Sequence, residues 1–305
     1  MAAKALEVQG ERRGVEVKRV AVVSAGVMGR GIAHAAALGD FDVRLQDVSI
    51  EVLENAVESI EKDMSKAVER DKLDEEAMRE GLERLSTTED LKVAVSEADL
   101  VIEAAPEKMD LKLEIFGKLD EWCPDRAVLA TNTSTMSPTE IAAGTYRPGR
   151  CIAMHFFNPA HKMKLVELIR GLETTDETFE TARSVAERMD KETVEVNEFP
   201  GFVTSRINCL VGNEAMNMLV EGVASAADID KALKLGLGYP MGPLELADLV
   251  GLDTRLRNLE YLHEMLGEKY RPSPLLYKLV AARHYGKKSG RGVYEYDEDG
   301  NKKGR

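Results

Sequence analysis

The sequence of 305 residues has few cysteines, no excess of positive charge and no long apolar run. Its three cysteines, Cys123, Cys151 and Cys209, are far apart and form no CxxC pair, so neither a disulfide framework nor a zinc site is expected. The net charge of −13 disfavours nucleic acid and membrane surfaces as partners, because both are negatively charged. No stretch has the length of a membrane span, and the N-terminal segment lacks the apolar core of a secretion signal. We therefore expect a cytoplasmic protein that binds no metal, nucleic acid or membrane.

Apolar β-rich runs alternate with helical patterns from residue 17 to residue 199. This alternation predicts an α/β domain of the Rossmann type, with a doubly wound, mainly parallel sheet. The predicted strands are 17–23, 42–46, 98–104, 126–131, 151–156 and 164–169. Two of the helices are predicted over 49–69 and 74–84, where Ser49 and Asp74 are suitable N-caps.

The remaining segments differ from this pattern. Residues 1–16 are polar and predict an extension. After Pro200 and Gly201 the periodicity is almost wholly helical, which predicts an all-helical C-terminal domain over 200–296. The polar residues 297–305 predict a solvated tail.

The segment VVSAGVMG departs by one letter from the GxGxxG fingerprint of dinucleotide-binding folds. The predicted cofactor-binding residues of this turn are Ser24, Ala25, Gly26, Val27, Met28 and Gly29. Gly26 leaves room for a diphosphate, and Gly29 allows the following helix to pack closely on the strand. Ser24 replaces the first glycine, and its Cβ costs about 1 kcal/mol or more if φ is positive at that position.

Asp47 strengthens the cofactor hypothesis because it ends the second predicted strand, 21 positions after Gly26. An acidic residue at that distance hydrogen-bonds the adenosine ribose of a dinucleotide. Its charge favours NAD over NADP, although the nearby Arg44 leaves NADP open. The alternative is a turn of small residues that packs a helix on a strand and binds no ligand.

A second signal lies in ATNTSTM, residues 130–136, and MHFFNPAHKMKLVELI, residues 154–169. His155 ends one predicted strand, and Glu167 lies 12 positions later in the next, so a hairpin brings them side by side. A histidine oriented by a carboxylate is suited to act as a general base. The alternative is a core histidine whose hydrogen bond is satisfied by Glu167.

Seven motifs occur in a fixed order along the chain: TNTST, HFFNP, MKLVE, PGFV, YPMGPLEL, VGLDT and GKKSGRGVY. With these motifs, residues 18–296 resemble the 3-hydroxyacyl-CoA dehydrogenases, most closely the bacterial branch that acts on 3-hydroxybutyryl-CoA. The resemblance implies NAD as cofactor and a short-chain (3S)-3-hydroxyacyl-CoA as substrate. It also implies a homodimer formed through the helical domain.

The resemblance assigns roles to individual residues. His155 matches the catalytic base, and Glu167 matches the carboxylate that orients it. Ser134 matches the serine that hydrogen-bonds the 3-oxygen of the substrate beside the nicotinamide, and Asn158 matches an asparagine near both.

Further positions match residues that contact the cofactor or the substrate in relatives. Glu107, Lys112 and Lys288 match cofactor contacts. Ser205 stands where many relatives have an asparagine that helps to hold the substrate, and Ser24 stands where relatives have glycine.

Lys62, Lys66 and Arg70 recur at intervals of four, which places them on one face of a helix. They are candidates to bind the phosphates of coenzyme A, and the alternative is a solvated helix face. His34, His161, His263 and His284 have no such support and are assigned to helices or the surface.

Two other functions are compatible with the sequence. A sister dehydrogenase of the same architecture acts on a free hydroxy acid of the gulonate or carnitine type. A non-catalytic binding protein would have kept the NAD fold and lost turnover, with Ser24 as the lesion.

Overall fold

The computed structural model describes residues 14–303, which form two compact units divided between Glu198 and Phe199. The first unit contains one sheet of eight strands in the order β3-β2-β1-β4-β5-β6-β7-β8. All neighbouring strands are parallel except β6 and β7, which are antiparallel. The predicted fold class, a Rossmann-type, mainly parallel sheet with a helical C-terminal region, is therefore confirmed.

The strands are β1 (Arg19–Val23), β2 (Asp42–Gln46), β3 (Leu85–Thr88), β4 (Leu100–Glu103), β5 (Val128–Thr131), β6 (Cys151–Phe156), β7 (Leu165–Arg170) and β8 (Glu192–Asn197). Six of them were predicted. The two that the sequence analysis missed, β3 and β8, are the edge strands, whose sequences LSTT and ETVEVN contain no continuous apolar run. They are half-solvated, and so the sequence signal of burial is weak there.

The helices of the first unit are α1 (Val27–Leu38), α2 (Ile50–Val68), α3 (Glu75–Glu83), α4 (Leu91–Val95), α5 (Met109–Trp122), α6 (Pro138–Ala142) and α7 (Asp176–Arg188). The predicted caps of α2 and α3 are present: the Ser49 side chain accepts from Val52 N–H, and Asp74 accepts from Glu76 and Ala77. Each cap satisfies N–H groups that a helix start otherwise leaves without partners.

The sheet has an apolar core on each face. Val20 and Val22 of β1 pack into one cluster, whereas Ala21 and Val23 pack into the other. Side chains alternate between faces along a strand, so a sheet covered on both sides needs a continuous apolar run. This is the run from which β1 was predicted.

The first unit begins before residue 17. Residues 1–13 of the predicted extension lie outside the described part of the chain, but Val15 N–H donates to Thr181 Oγ1 at 2.9 Å. A Cβ added to Gly14 would lie 2.7 Å from the Thr181 nitrogen, so this backbone lies directly against α7.

The second unit is built from helices around its own core. They are α8 (Thr204–Val220), α9 (Ala226–Leu237), α10 (Pro243–Val250), α11 (Leu252–Leu266) and α12 (Pro274–Ala281). Of the predicted tail, residues 297–303 are mostly exposed but turn back, and Lys303 N–H donates to the Glu295 carbonyl at 2.8 Å. Within residues 14–303, every helix is too short or too polar to cross a lipid bilayer.

Candidate active site

The carboxyl end of β1 lies where the strand order reverses, since β2 pairs with one side of β1 and β4 with the other. Open α/β sheets bind their ligands at such a point. The strands β4, β5 and β6 run in the same direction as β1, so Glu103, Thr131 and His155 at or near their carboxyl ends reach the same edge. The fingerprint turn and the histidine therefore share one edge of the sheet.

The backbone of the fingerprint turn is left-handed at Ser24, where φ is +78°. The Ser24 N–H donates to the Gln46 carbonyl at 2.8 Å, which ties the turn to β2. The turn thus has the conformation that favours glycine, and the serine side chain is strained there. The cost that the sequence analysis attached to a positive φ applies to this chain.

The two remaining glycines of the turn have different functions. A Cβ at Gly29 would lie 1.7 Å from the Ser24 carbonyl oxygen, so the fold itself requires glycine there. A Cβ at Gly26 would find, among the described residues, only Ser24 Oγ as a non-neighbouring atom within 4 Å, at 3.9 Å. Packing does not require a glycine at position 26, and the space over its backbone remains open for a ligand.

The start of α1 is suited to an anion. Gly26 is its N-cap, and no described side chain caps this helix. The N–H groups of the first turn, at Val27 and Met28, therefore lack side-chain partners, and the helix dipole adds positive potential. These features fit the diphosphate of NAD.

Asp47 lies beside the turn as predicted. Its Oδ2 accepts from Ala25 N–H at 2.8 Å, and its Oδ1 accepts from Ser49 N–H at 3.3 Å. Each carboxylate oxygen can accept more than one hydrogen bond, so Asp47 has capacity for a ribose hydroxyl.

The antiparallel pairing of β6 and β7 places His155 directly opposite Glu167. Nδ1 of His155 lies 2.7 Å from Glu167 Oε2, and both side chains are buried. The spacing of 12 residues thus produces the hairpin neighbours that the sequence predicted. A carboxylate on Nδ1 holds the proton there, which makes Nε2 the basic atom of the ring.

Ser134 follows β5 and is held by Glu107. The Ser134 N–H donates to Glu107 Oε1 at 3.0 Å, and its hydroxyl lies 3.5 Å from the same oxygen. Thr133 Oγ1 also donates to this oxygen. The predicted substrate-binding serine and the predicted cofactor contact therefore form one hydrogen-bonded group.

Lys112 is 1% exposed, and its ammonium group is directed at Glu103, with distances of 2.8 and 3.0 Å to the two carboxylate oxygens. Thr131 Oγ1 donates to the same carboxylate at 2.7 Å. Glu103 was not among the predicted site residues. An acidic residue at the end of the apolar run LVIEA was the signal that could have found it, because buried acids are rare unless paired.

Asn158 lies in the loop after β6 and is exposed. It lines a small cavity together with Val27 and Arg30 of α1 and His161 of the same loop. The structure thus brings Asn158 to the beginning of the fingerprint helix.

A cleft of about 450 Å³ opens between α1, α2 and the segments around β7 and β8. Two carboxylates line it, those of Asp63 and Asp190. The cations that line it are Lys66, Arg70, Lys72, Lys162, Lys164, Arg188 and Lys191. The local charge is therefore strongly positive on a protein whose net charge is negative.

The structure corrects the predicted patch of three cations. Helix α2 ends at Val68, so Arg70 lies in the turn beyond it and not on the helix face. Lys62 is exposed and is not among the described residues that line the cleft, whereas Lys66 and Arg70 are. The helical periodicity was extended one turn too far.

Two histidines that were assigned to helices or the surface stack on each other in this cleft. The rings of His34 and His161 are 4.7 Å apart and nearly parallel. Burial, aided by the charge of His161, lowers the pKa of His34 to about 4. Burial likewise lowers the pKa of His161. His161 Nε2 lies 3.7 Å from Asp63 Oδ2.

The second unit contains two of the predicted site residues. Ser205 lies half-buried in the first turn of α8. The Lys288 ammonium lies 2.6 Å from Asp253 Oδ1, and the side chain is half-exposed. That lysine therefore forms an ion pair within its own unit.

Family models cover nearly all of the described chain. The model described as 3-hydroxyacyl-CoA dehydrogenase, NAD binding domain, matches residues 19–199. The model described as 3-hydroxyacyl-CoA dehydrogenase, C-terminal domain, matches residues 201–296.

Relatives and solved structures agree with these models. The chain is 48% identical over 285 residues to a probable 3-hydroxybutyryl-CoA dehydrogenase of Bacillus subtilis, covering 93% of this chain and 99% of that protein. It is 45% identical over 281 residues to the 3-hydroxybutyryl-CoA dehydrogenase of Bradyrhizobium diazoefficiens, covering 92% and 96%. The crystal structure of (S)-3-hydroxybutyryl-CoA dehydrogenase from Ralstonia eutropha is similar with a TM-score of 0.88 and 40% identity, covering 93% of this chain and 100% of that one.

Proposed function

The chain belongs to the 3-hydroxyacyl-CoA dehydrogenase family, and from this premise we propose that it interconverts 3-hydroxybutyryl-CoA and acetoacetyl-CoA with His155 as the general base. As a member of this family it is an NAD-dependent oxidoreductase. One observation carries the role of His155: its ring is held 2.7 Å from the Glu167 carboxylate, at the sheet edge that carries the fingerprint turn.

His155 exchanges the proton in this mechanism. NAD, when bound at the fingerprint turn, supplies the hydride acceptor for C3 of the substrate. Nε2 of His155 takes the proton of the C3 hydroxyl, and the positive charge that develops on the ring is stabilised by Glu167. In the reverse direction the same atom returns the proton. Because Glu167 is fully buried, its charge acts with little screening by water.

Ser134 and Asn158 complete the proposed site. The Ser134 hydroxyl donates a hydrogen bond to the 3-oxygen, which aligns C3 for transfer. Glu107 anchors the serine through its backbone N–H. Ser205 is proposed as a substrate contact and Lys288 as a cofactor contact, the roles that the matching positions have in relatives.

The test is oxidation of NADH with acetoacetyl-CoA, followed by the absorbance of the reduced nicotinamide. His155→Gln should lower kcat by about 10²- to 10⁴-fold, the usual contribution of a general base. His263→Gln is the matched control: this half-buried histidine of α11 is paired with Glu268, and activity should be unchanged. Wild-type turnover of His155→Gln would contradict the mechanism. Equal rates with free acetoacetate would favour a dehydrogenase of free hydroxy acids, and absence of turnover in the wild type would favour the non-catalytic binding protein.

The cationic cleft is proposed to bind the phosphates of the CoA moiety. Lys66 and Arg70 line it together with lysines from distant parts of the chain. A cleft lined by one sign of charge attracts a polyanion and holds phosphate oxygens by charge-assisted hydrogen bonds.

The double substitution Lys66→Glu and Arg70→Glu should raise KM for acetoacetyl-CoA about tenfold or more and leave KM for NADH unchanged. Lys62→Glu makes half of this charge change on α2 outside the described lining of the cleft, and Lys66→Glu makes the same single change within it, so these two variants are the matched pair. Equal effects of Lys62→Glu would show that the general field of the protein, and not the cleft, governs the affinity.

We also propose a homodimer formed through the helical unit. Large apolar side chains are exposed there, including Ile207, Val223, Leu235 and Leu237. Such side chains favour burial against a partner. Light scattering should give the mass of a dimer at micromolar concentration, and a monomeric mass would reject the proposal. The cytoplasm remains the proposed location, supported by three buried free thiols.

A further inference from the structure

Glu103 is a fully buried carboxylate at the end of β4, with donors on every side. Lys112 contacts both of its oxygens, Thr131 Oγ1 donates at 2.7 Å, and Ala105 N–H donates at 2.7 Å. A carboxylate held by these donors has one orientation. It therefore fixes the position of the Lys112 ammonium group as well.

Lys112 connects this buried carboxylate to the active site. Its ammonium lies 3.4 Å from Glu107 Oε2, while the other oxygen of Glu107 accepts from Ser134 N–H at 3.0 Å. The contacts form a continuous series: Glu103, Lys112, Glu107, Ser134. One cation is shared by two carboxylates, of which the first is immobile and the second faces the proposed substrate serine.

Stability does not account for this arrangement. The desolvation of a buried ion pair offsets most of its attraction, and replacement by apolar residues of similar size is often neutral or stabilising. What the pair provides is a fixed positive charge beside Glu107. The Glu107 side chain is 26% exposed. Its Oε1 accepts from Thr133 Oγ1 and from Ser134 N–H, so the Lys112 charge acts on the other oxygen, Oε2, and sets the angle at which the carboxylate meets Ser134.

We propose that Glu103 is a positioning residue of this enzyme: through Lys112 it fixes the carboxylate of Glu107, and through Glu107 it holds Ser134 in the orientation that hydride transfer needs. This inference rests on the proposed function, in which Ser134 binds the 3-oxygen. Small errors of alignment are costly, because a misplacement of about 1 Å can slow a reaction about a hundredfold.

The experiment compares three variants. Glu103→Gln leaves Lys112 as a buried cation without its principal partner and should lower both Tm and kcat. The double variant Glu103→Gln with Lys112→Met removes both charges. The amide oxygen can take the place of Oε1 and accept from Ala105 N–H, while the amide NH2 can take the place of Oε2 and donate to the Thr131 hydroxyl, so this variant should recover most of the Tm. Its kcat should remain about tenfold or more below wild type. If kcat recovers together with Tm, the pair is merely structural and the proposal is overturned.

A double-mutant cycle with Ser134→Ala tests the path of the effect. Residues that act as one unit have non-additive effects, so Ser134→Ala should lower kcat much less in the Glu103→Gln and Lys112→Met background than in the wild type. Additive effects on kcat would overturn the proposal. If Ser134→Ala leaves kcat of the wild type unchanged, the proposed function of Ser134 itself has failed, which is a different result.

Two further measurements separate positioning from other causes. The value of kcat is compared at saturating NADH and acetoacetyl-CoA, because Lys112 and Glu107 match cofactor contacts and a weaker affinity for NADH would otherwise lower the observed rate. A loss confined to KM for NADH, with kcat recovered, would identify the ion pair as part of the cofactor site and overturn the proposal. Asp99→Asn is the control and third variant: Asp99 is a buried carboxylate just before β4, paired with Arg126 at 2.8 Å. It should lower Tm and leave kcat unchanged.

Discussion

Replacing Ser24 by glycine removes a Cβ from a left-handed backbone. With φ at +78°, the side chain costs about 1–2 kcal/mol. The greater conformational freedom of glycine in the unfolded chain offsets about 0.4–1 kcal/mol of this gain in stability. We expect a net gain of about 0.5–1 kcal/mol in the free energy of unfolding, or a rise in Tm of about 1–4 °C for a unit of this size.

The same substitution should tighten the binding of NAD. The turn that carries the strain also presents its backbone to the diphosphate, so any relaxation of Ser24 in the free protein must be reversed on binding. Ser24→Gly removes that cost, and the gain in affinity should be a few-fold to about tenfold, up to roughly 1.4 kcal/mol. Differential scanning calorimetry measures the effect on folding, and isothermal titration calorimetry measures the effect on binding.

Ser24→Ala is the matched control, because it keeps the Cβ and removes only the hydroxyl. It should resemble the wild type in both measurements. If Ser24→Gly changes neither Tm nor the dissociation constant, the Cβ is not strained and the reasoning from φ is wrong. If Ser24→Ala has the same effects as Ser24→Gly, the hydroxyl is responsible.

Three other perturbations test the packing and the titration of buried groups. Gly29→Ala should destabilise the first unit by about 3 kcal/mol or more, because its Cβ would meet a backbone carbonyl at 1.7 Å. Gly26→Ala should change Tm by less than about 2 °C and weaken NADH binding about tenfold. Equal losses of Tm in the two variants would refute the distinction between the two glycines. Burial lowers the pKa of His34 to about 4, so the contribution of this histidine to the free energy of unfolding is present above pH 6.5 and is lost as the pH falls to 4. Urea titrations measure this effect: between pH 6.5 and pH 4 the free energy of unfolding should fall by up to about 3 kcal/mol more in the wild type than in His34→Gln. Burial and hydrogen bonds to carboxylates raise the pKa of Tyr294 and Tyr296, so the contribution of these tyrosines to the free energy of unfolding is present below pH 10 and is lost as the pH rises above 10. Thermal unfolding should therefore show a Tm that falls above pH 10, and the fall should be less steep in Tyr294→Phe than in the wild type.

Local sequence patterns were sufficient to predict the strands that are buried on both faces and the helices that begin at a capping residue. The apolar runs of β1, β4 and β6 and the caps Ser49 and Asp74 were all visible in the sequence. Burial of a strand on both faces leaves a continuous apolar signal, and a cap needs a particular residue type at a particular place. The edge strands β3 and β8 were not predicted because partial exposure removes that signal.

The spacing of residues also determined parts of the site. Twelve positions between His155 and Glu167 suffice to pair them, because an antiparallel hairpin has one register compatible with its buried face. Asp47 meets the fingerprint turn for a similar reason, since parallel neighbouring strands end at the same edge.

Only the tertiary structure decided the backbone angle of Ser24, the hydrogen-bond partners of Glu103 and the set of residues that line the cationic cleft. A serine in a turn is compatible with either sign of φ, and the Gln46 carbonyl that fixes it belongs to another strand. The hydrogen-bond partners of Glu103 include Lys112 and Thr131, which belong to α5 and β5. The cleft gathers cations from distant parts of the chain, while Lys62, which the helical period had included, lies outside the described lining. Sequence patterns report which residues are buried along one element, whereas the approach of side chains from several elements is set by the packing of the whole domain.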